Sequence, residues 1–152
     1  MSAAPKETIL VACGHCQAGN RVPQERLGDA PKCGKCGVAL LEGRPIELDA
    51  QTFDPFVSRT ALPVLVDYWA PWCGPCRAMA PAFERAAAEV ATSAHLVKVN
   101  TEDSPALAQR AGIRAIPTLV LYRDGRELDR VSGAQDAGTL VKWLRDRLGR
   151  NA

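Results

Sequence analysis

The sequence lacks any long apolar run. The first short one, residues 9–12, is too short for the hydrophobic region of a secretory signal peptide and is followed at once by Cys13. No stretch approaches the ~20 apolar residues that a membrane-spanning helix needs. We therefore expect a cytoplasmic protein that is neither exported nor held in a membrane.

The sequence also lacks a strong excess of charge of either sign. Lys and Arg total 19 against 17 for Asp and Glu, which gives a net charge of +2 over 152 residues. This balance does not indicate a basic surface of the kind that binds nucleic acid, so we expect no nucleic-acid partner. Apolar residues make up 47% of the chain, which is enough for an ordinary folded core.

Cysteine, by contrast, is plentiful. The chain contains six cysteines, which form three C-x-x-C pairs. In a reducing compartment such pairs are metal ligands or redox centres more often than structural disulfides. The first two pairs have the spacing C-x2-C-x16-C-x2-C, which is typical of a structural site for one zinc ion. The four candidate ligands are Cys13, Cys16, Cys33 and Cys36. Two disulfides, four unused thiols, or His15 as a replacement ligand remain alternatives.

Residues 1–44 show little periodic apolar pattern, so hydrophobic burial alone would not fold them. Zinc binding would supply the missing folding free energy. The run Gly43-Arg44-Pro45 has the composition of a short linker. We therefore predict an N-terminal zinc module with its linker in residues 1–44 and a larger domain in residues 45–152. Whether the module stabilises, docks a partner or senses oxidants stays open, and no organic cofactor is indicated.

The larger domain alternates strand-like and helix-like segments. The apolar and β-branched runs predict strands over 45–48, 64–69, 95–100, 118–122 and 127–131, the last two joined by an Asp124-Gly125 turn. Helical spacing predicts helices over 49–59, 73–91, 104–111 and 136–148, and Pro81 should bend the second of these. This order predicts an α/β fold with a central mixed β-sheet flanked by helices.

The third cysteine pair lies where the buried strand 64–69 meets the long helix. Cys73 therefore sits at a helix N-terminus, where free N–H groups and the helix dipole favour a thiolate. We expect Cys73 to face solvent and attack disulfides in partner proteins. Cys76 lies under the first helical turn, so we expect it to be shielded and to resolve the mixed disulfide.

An acidic residue, Asp67, lies inside the buried strand. Burial should raise the pKa of its carboxyl group, which makes Asp67 the candidate general acid/base for the proton of Cys76. A purely structural role is the alternative, because Lys98 on the neighbouring predicted strand could pair with it.

Residues 66–76 read Val-Asp-Tyr-Trp-Ala-Pro-Trp-Cys-Gly-Pro-Cys and resemble the active-site segment of the thioredoxin family. The likeness covers residues 45–150, and it continues at Pro81, Lys98, Ile116-Pro117-Thr118, Asp124-Gly125 and Gly133-Ala134. With the two N-terminal cysteine pairs, the chain is similar to the zinc-containing thioredoxin-2 class of bacteria. The resemblance implies a thioredoxin fold behind a small zinc ribbon. It also implies a protein-disulfide reductase that acts in electron transport and cell redox homeostasis.

The resemblance also implies roles for individual residues. Pro117 should be a cis proline facing Cys73 and Cys76. A flat docking surface for protein substrates should surround them, formed by Trp72, Gly74, Pro75, Ile116, Gly133 and Ala134. Thioredoxin reductase is then the expected electron donor, and the protein should be a monomer. Ala115 and Ser132 depart from residues common in the family, which leaves the range of partners open.

Two other functions remain possible from the sequence. In the first, the thioredoxin fold is only a scaffold and the zinc ribbon binds protein or nucleic acid. In the second, the protein is an oxidase or isomerase of an exported compartment. A scaffold would have no need of the cysteine pair together with Asp67 and Pro117. An exported oxidase or isomerase does not fit Gly74-Pro75, which resembles the reducing members of the family, and no export signal is found.

Overall fold

The computed structural model describes residues 7–150, and their side chains through residue 149. The outermost parts of the two predicted domains, residues 1–6 and 151–152, lie outside the described residues.

A five-stranded mixed sheet forms the centre of the molecule. Its strands are β3 (Ile46–Leu48), β4 (Val64–Trp69), β5 (His95–Asn100), β6 (Thr118–Arg123) and β7 (Arg126–Ser132). They lie in the order β3-β5-β4-β6-β7. Strand β5 pairs in parallel with β3 and β4, whereas β6 pairs antiparallel with β4 and β7. The predicted α/β fold with a central mixed sheet is confirmed.

Four helices cover the sheet: α1 (Phe53–Ser58), α2 (Gly74–Glu89), α3 (Pro105–Arg110) and α4 (Ala137–Arg150). Buried residues of α2 and α4, such as Phe83 and Leu144, pack with Leu65 on one face of the sheet. Buried residues of α1 and α3, such as Phe56 and Leu107, pack on the other face. Strand β4 is therefore covered on both sides, as its continuous apolar run indicates.

All four helices begin after the residue expected from the sequence, α2, α3 and α4 by one residue and α1 by four. Helix α1 begins at Phe53 rather than at residue 49, because Asp49 Oδ1 accepts the N–H groups of Gln51 at 2.9 Å and Thr52 at 3.0 Å in a turn before the helix. Ser104 precedes α3, but its hydroxyl accepts the N–H of Ala50 at 3.1 Å and so does not cap the helix.

The N-terminal part contains a two-stranded antiparallel sheet that the sequence pattern did not indicate, with β1 at Thr8–Ala12 and β2 at Gly19–Pro23. A small buried cluster includes Val11, Val22 and Leu40, and it is completed by Leu62 from the segment before β4. The cluster therefore consists of side chains from residues 9–41 together with one side chain, Leu62, from the larger part.

The N-terminal part, predicted as the zinc module, contacts the rest of the chain through hydrogen bonds and close packing. The Ala61 N–H donates to the Leu10 carbonyl at 2.7 Å, and Arg59 Nη1 donates to the Gln17 carbonyl at 3.1 Å. Gly43, with φ +72°, packs so closely on α2 that a Cβ there would lie 3.2 Å from the Cα of Ala88. The segment expected to be a linker is therefore packed against a helix.

All these contacts lie at one end of the sheet. Residues 59–62 precede β4, and the buried His95, which opens β5, shares a 2.9 Å hydrogen bond with the Thr60 hydroxyl. The Thr60 hydroxyl also lies 3.4 Å from the Leu10 carbonyl of β1. Within the described part of the chain, no helix is both long enough and apolar enough to cross a membrane.

Candidate active site and metal centre

The topology brings four chain segments to the other end of the sheet. Strands β4 and β5 are parallel and both end there, and the N–H of Thr101 donates to the Trp69 carbonyl at 2.8 Å. Strand β6 is antiparallel to them, so its first residue Thr118 lies at the same edge, as does Ser132 at the end of β7. The third cysteine pair follows β4 and therefore lies among these segments.

Cys73 and Cys76 are joined by a disulfide at the start of α2. Cys73 is the N-cap residue of the helix, and the N–H of Cys76 donates to its Sγ at 3.2 Å. Pro75 occupies the first turn, where its missing N–H costs no helical hydrogen bond. A thiolate on Cys73 after reduction would be favoured by this N–H and by the helix dipole.

The expected difference in exposure between the two cysteines is not present in the disulfide state. We expected Cys73 to face solvent and Cys76 to be shielded, but their exposed fractions are 4% and 3%. Both pack in a small cluster with Ala70, Trp69 and Ile116, which covers the sulfur atoms. The N-cap position, and not residue exposure, therefore distinguishes Cys73 from Cys76 in this structure.

The loop before β6 lies directly against the disulfide. The peptide bond between Ile116 and Pro117 is cis, and Cys73 Sγ is 3.7 Å from the Ile116 carbonyl oxygen. The N–H of Gly133 donates to the Pro117 carbonyl at 2.8 Å, which brings the end of β7 to the same place.

The other residues assigned to the docking surface are exposed. Trp72 is exposed over 67% of its surface, and Gly74, Pro75 and Ala134 are exposed as well. These residues flank the disulfide, either next to it in the chain or through the Gly133 contact with Pro117.

Asp67 lies in the middle of the central strand and is 1% exposed. Burial raises the pKa of its carboxyl group to about 7, and the charge of Lys98 lowers it by a smaller amount. Its Oδ1 has no hydrogen-bond partner among the described residues. A buried carboxyl group whose pKa lies near neutrality can exchange a proton during the reaction.

Lys98 is the β5 residue in register with Asp67. Its ammonium nitrogen lies 4.3 Å from the centroid of the Trp69 ring, a cation–π geometry. Trp69 has no role of its own among the residues predicted from the sequence. Its Nε1 is buried and, among the described residues, has no hydrogen-bond partner. The one sequence signal for such a role is the position of Trp69, an aromatic residue directly before the segment that leads to Cys73.

The four N-terminal cysteines form a metal-ligand cluster, since their sulfur atoms all lie within 4.8 Å of one another. Cys13 Sγ is 3.6 Å from Cys36 Sγ, and Cys16 Sγ is 3.7 Å from Cys33 Sγ. A tetrahedral zinc ion with Zn–S bonds of about 2.3 Å requires sulfur atoms about 3.8 Å apart, so the cluster fits zinc. The same distances are much longer than the ~2.05 Å of a disulfide bond.

Both cysteine pairs adopt the same backbone turn. The N–H of Gln17 donates to the Cys13 carbonyl at 2.8 Å, and the N–H of Gly37 donates to the Cys33 carbonyl at 2.9 Å. Gln17 and Gly37 both have positive φ, +63° and +81°. In each turn the N–H two residues after the first cysteine points at that sulfur at 3.4 Å, which favours a thiolate. The four-cysteine prediction is confirmed as a site able to bind one metal ion.

Comparison with known proteins gives the same result for both parts. The sequence model of the family described as thioredoxin matches residues 44–146, and that described as the N-terminal part of thioredoxin 2, a zinc ribbon, matches residues 12–38. Fold and site together define a dithiol–disulfide oxidoreductase. The chain belongs to the thioredoxin family and carries the zinc ribbon of thioredoxin 2.

Individual relatives agree with this assignment. Thioredoxin C-3 of Corynebacterium nephridii is 44% identical over 142 residues, which is 92% of this chain and 96% of that protein. Thioredoxin 1 of Synechococcus elongatus is 46% identical over 61% of this chain and 87% of its own length. A solved structure of a mutant thioredoxin from Halobacterium salinarum superimposes with a TM-score of 0.63 at 33% identity, over 69% of this chain and 91% of that one.

Proposed function

We propose that this protein reduces disulfides in partner proteins, with Cys73 as the attacking thiolate and Cys76 as the resolving thiol. The observation that carries this assignment is the position of Cys73 as N-cap of α2, where its Sγ accepts the N–H of Cys76 at 3.2 Å. A thiol in this position ionises more readily than a free thiol, because the N–H group and the helix dipole stabilise the thiolate.

The reaction proceeds in two exchanges. The Cys73 thiolate attacks one sulfur of the partner disulfide, which forms a mixed disulfide and releases the other partner sulfur as a thiolate. Cys76 then loses its proton and attacks the Cys73 sulfur, which releases the second partner thiolate. The products are a reduced partner and the Cys73–Cys76 disulfide seen in the structure.

Asp67 is the group that accepts the proton of Cys76. The pKa of its carboxyl group, about 7, lets it take up a proton at neutral pH, which a carboxyl group with an ordinary pKa does poorly. Lys98 sets how easily Asp67 ionises, because its positive charge lowers the pKa of that carboxyl group. Lys98 is therefore a positioning residue in this proposal and not a reacting one.

The surface around the disulfide binds the partner. Ile116 offers a carbonyl oxygen 3.7 Å from the reacting Cys73 sulfur, and an extended partner segment can pair with such backbone groups. Trp72, exposed over 67% of its surface, supplies apolar contact beside it. Gly74, Pro75, Gly133 and Ala134 complete the surface. The cis Pro117, which is buried, faces the two cysteines in this proposal.

The chain divides, in this proposal, into a zinc module with its linker (1–44) and a catalytic domain (45–152). Cys13, Cys16, Cys33 and Cys36 would hold the ion, and zinc binding supplies folding free energy to a segment with a small apolar cluster. The module lies at the end of the sheet away from the disulfide, so its role is structural or regulatory and it takes no part in the exchange itself.

The cellular setting is also part of the proposal. A reductive cycle needs an electron donor that restores the dithiol, and thioredoxin reductase of the cytoplasm is the donor that suits this class. We propose a monomer, because the described residues include only two large, exposed apolar side chains, Trp72 and Leu10. The protein then carries electrons from the reductase to many protein substrates.

Insulin reduction with dithiothreitol as the electron source tests the proposal. The wild-type protein should speed precipitation of the insulin B chain, and Cys73→Ser should abolish the acceleration. Cys76→Ser should lose turnover but accumulate a mixed disulfide through Cys73. Equal rates for wild type and Cys73→Ser would show that the fold is only a scaffold. A redox titration that finds a strongly oxidising couple would favour an oxidase or isomerase instead.

A further inference from the structure

The zinc site exposes one of its four sulfur ligands to reagents in solution. Cys13 and Cys33 are buried and Cys16 is half-buried, whereas Cys36 is exposed. Its neighbours Gly34, Lys35 and Gly37 are exposed too, so this side of the site is open. An oxidant that reaches the cluster meets Cys36 first.

Two short sulfur separations indicate which disulfides can form on oxidation. Cys36 Sγ lies 3.6 Å from Cys13 Sγ, and Cys16 Sγ lies 3.7 Å from Cys33 Sγ. Both pairs connect one turn to the other, so each needs a movement of less than about 2 Å to reach the ~2.05 Å of an S–S bond. A peroxide can take two electrons from each pair, giving a disulfide and water, and the cluster then no longer holds a metal ion.

The redox pair of the same molecule is too far away to repair this damage. Cys73 begins α2, and Ala87 near the other end of the helix lines a cleft together with Gly14 of the zinc module. Fourteen residues separate Cys73 from Ala87, which is about 20 Å at ~1.5 Å per residue. Thiol–disulfide exchange needs the sulfur atoms in contact, about 3–3.5 Å apart.

In the folded state, whose two cysteine turns the two disulfides would hold together in place of the metal ion, the module is also fixed in place. Its strand β1 accepts the Ala61 N–H at 2.7 Å, Arg59 holds the Gln17 carbonyl at 3.1 Å, and Leu62 is buried in its apolar cluster. A swing of the module to the far end of the sheet would break all three contacts. A second molecule meets no such barrier, because it can approach the exposed side at Cys36.

We infer that an oxidised zinc module is a substrate for the Cys73/Cys76 pair of a second copy of this chain. This inference rests on the proposed disulfide-reductase function. The Cys73 thiolate of one copy attacks Cys36 of the other, and Cys13 leaves as a thiolate and takes up a proton. Cys76 then gives up its proton and attacks Cys73, which releases Cys36 as a thiolate and leaves the first copy with its own disulfide.

A second reduced copy repairs the remaining disulfide through the half-buried Cys16. Two dithiols are therefore consumed for each fully oxidised module, and the electron donor of the normal cycle restores them. The four thiolates can then bind a zinc ion again, which returns the folding free energy of the module.

The test mixes two distinguishable full-length proteins. The acceptor carries Cys73→Ser and Cys76→Ser, is labelled with nitrogen-15, and has its module oxidised by hydrogen peroxide. The donor is the reduced wild-type protein. Acceptor thiols are counted by alkylation and mass spectrometry, and zinc uptake is followed with a chromogenic chelator. All four acceptor thiols should return, and doubling the donor concentration should about double the initial rate.

Three controls separate the possible failures. A Cys73→Ser donor should leave the acceptor oxidised. An acceptor that keeps its own Cys73 and Cys76 should recover no faster than the variant without them, and a several-fold faster recovery would show repair within one molecule and overturn the inference. A Cys76→Ser donor should form a mixed disulfide that maps to Cys36, and an adduct on buried Cys33 would contradict the route.

Insulin reduction by the same donor preparation distinguishes this inference from the function on which it rests. A donor that reduces insulin but leaves the acceptor module oxidised refutes repair between copies and leaves the proposed function intact. A donor that reduces neither substrate refutes the proposed function itself.

Discussion

The buried carboxyl group of Asp67 makes the stability of this protein depend on pH in a direction opposite to that of most acidic residues. Burial raises its pKa from the ordinary 3.8 to about 7, so the folded protein prefers the protonated form. Between these two values the folded state binds more protons than the unfolded state. The free energy of unfolding therefore falls as pH rises through this window and levels off above about pH 7.

The size of the effect follows from the two pKa values. Each pKa unit is worth about 1.4 kcal/mol, so the full difference corresponds to about 4 kcal/mol above neutral pH. Between pH 5 and pH 8.5 the wild-type protein should lose about 3 kcal/mol through Asp67. The Asp67→Asn variant has a side chain of nearly the same shape without the titration, so it should lose none of this.

Denaturant unfolding of the oxidised, zinc-saturated proteins at both pH values measures the effect. The quantity compared is the change in unfolding free energy of wild type minus that of Asp67→Asn, because the contributions of other titrating groups then cancel. Parallel pH profiles for the two proteins would refute the reasoning, since they would mean that Asp67 titrates alike in the folded and unfolded states.

Three further predictions concern other parts of the molecule. Burial lowers the pKa of His95 to about 4, so His95 should cost the wild-type protein about 3 kcal/mol of unfolding free energy as pH falls from 7 to 4. Because Asp67 acts in the opposite direction over this range, the effect is measured by denaturant unfolding as the change in wild type minus the change in His95→Gln. Gly43→Ala should cost about 1–2 kcal/mol, seen as a lower melting temperature, because alanine is strained at φ +72° and its Cβ would crowd Ala88. A matched Gly28→Ala change, at a position with open space around it, should cost less. Chelation of zinc should raise amide exchange in β1 and β2 while insulin reduction stays largely intact, and a loss of activity in step with zinc removal would contradict this.

The sequence predicted the two central strands well because each strand is determined by the residue types within it. Val64–Trp69 and His95–Asn100 have the bounds expected from their apolar and β-branched runs. The Asp124-Gly125 turn also follows from local chemistry, because both residues have positive φ. The four candidate metal ligands of the module were also predictable, since the spacing of the two cysteine pairs is typical of a zinc site.

The features that the sequence did not predict depend on contacts between distant segments. Strand β2 reads Gly-Asn-Arg-Val-Pro, which is mostly polar, and it forms because it pairs with β1 beside the cysteine turns. Leu62 completes the apolar cluster of a module whose other members lie far before it in the chain. The low exposure of Cys73 likewise depends in part on Ile116, which is 43 residues away. Local patterns carry no signal for such packing.

Alkylation of the fully reduced, zinc-loaded protein tests the central claim, that Cys73 is the attacking sulfur. The protein is exposed briefly to limiting iodoacetamide near pH 7, and the modified cysteine is located by peptide mass spectrometry. Within the redox pair, Cys73 should be modified first, with a reaction rate that reaches half its maximum at a pH below the ~8.5 of a free thiol. Preferential modification of Cys76, or equal modification of both at the rate of a free thiol, would contradict the account.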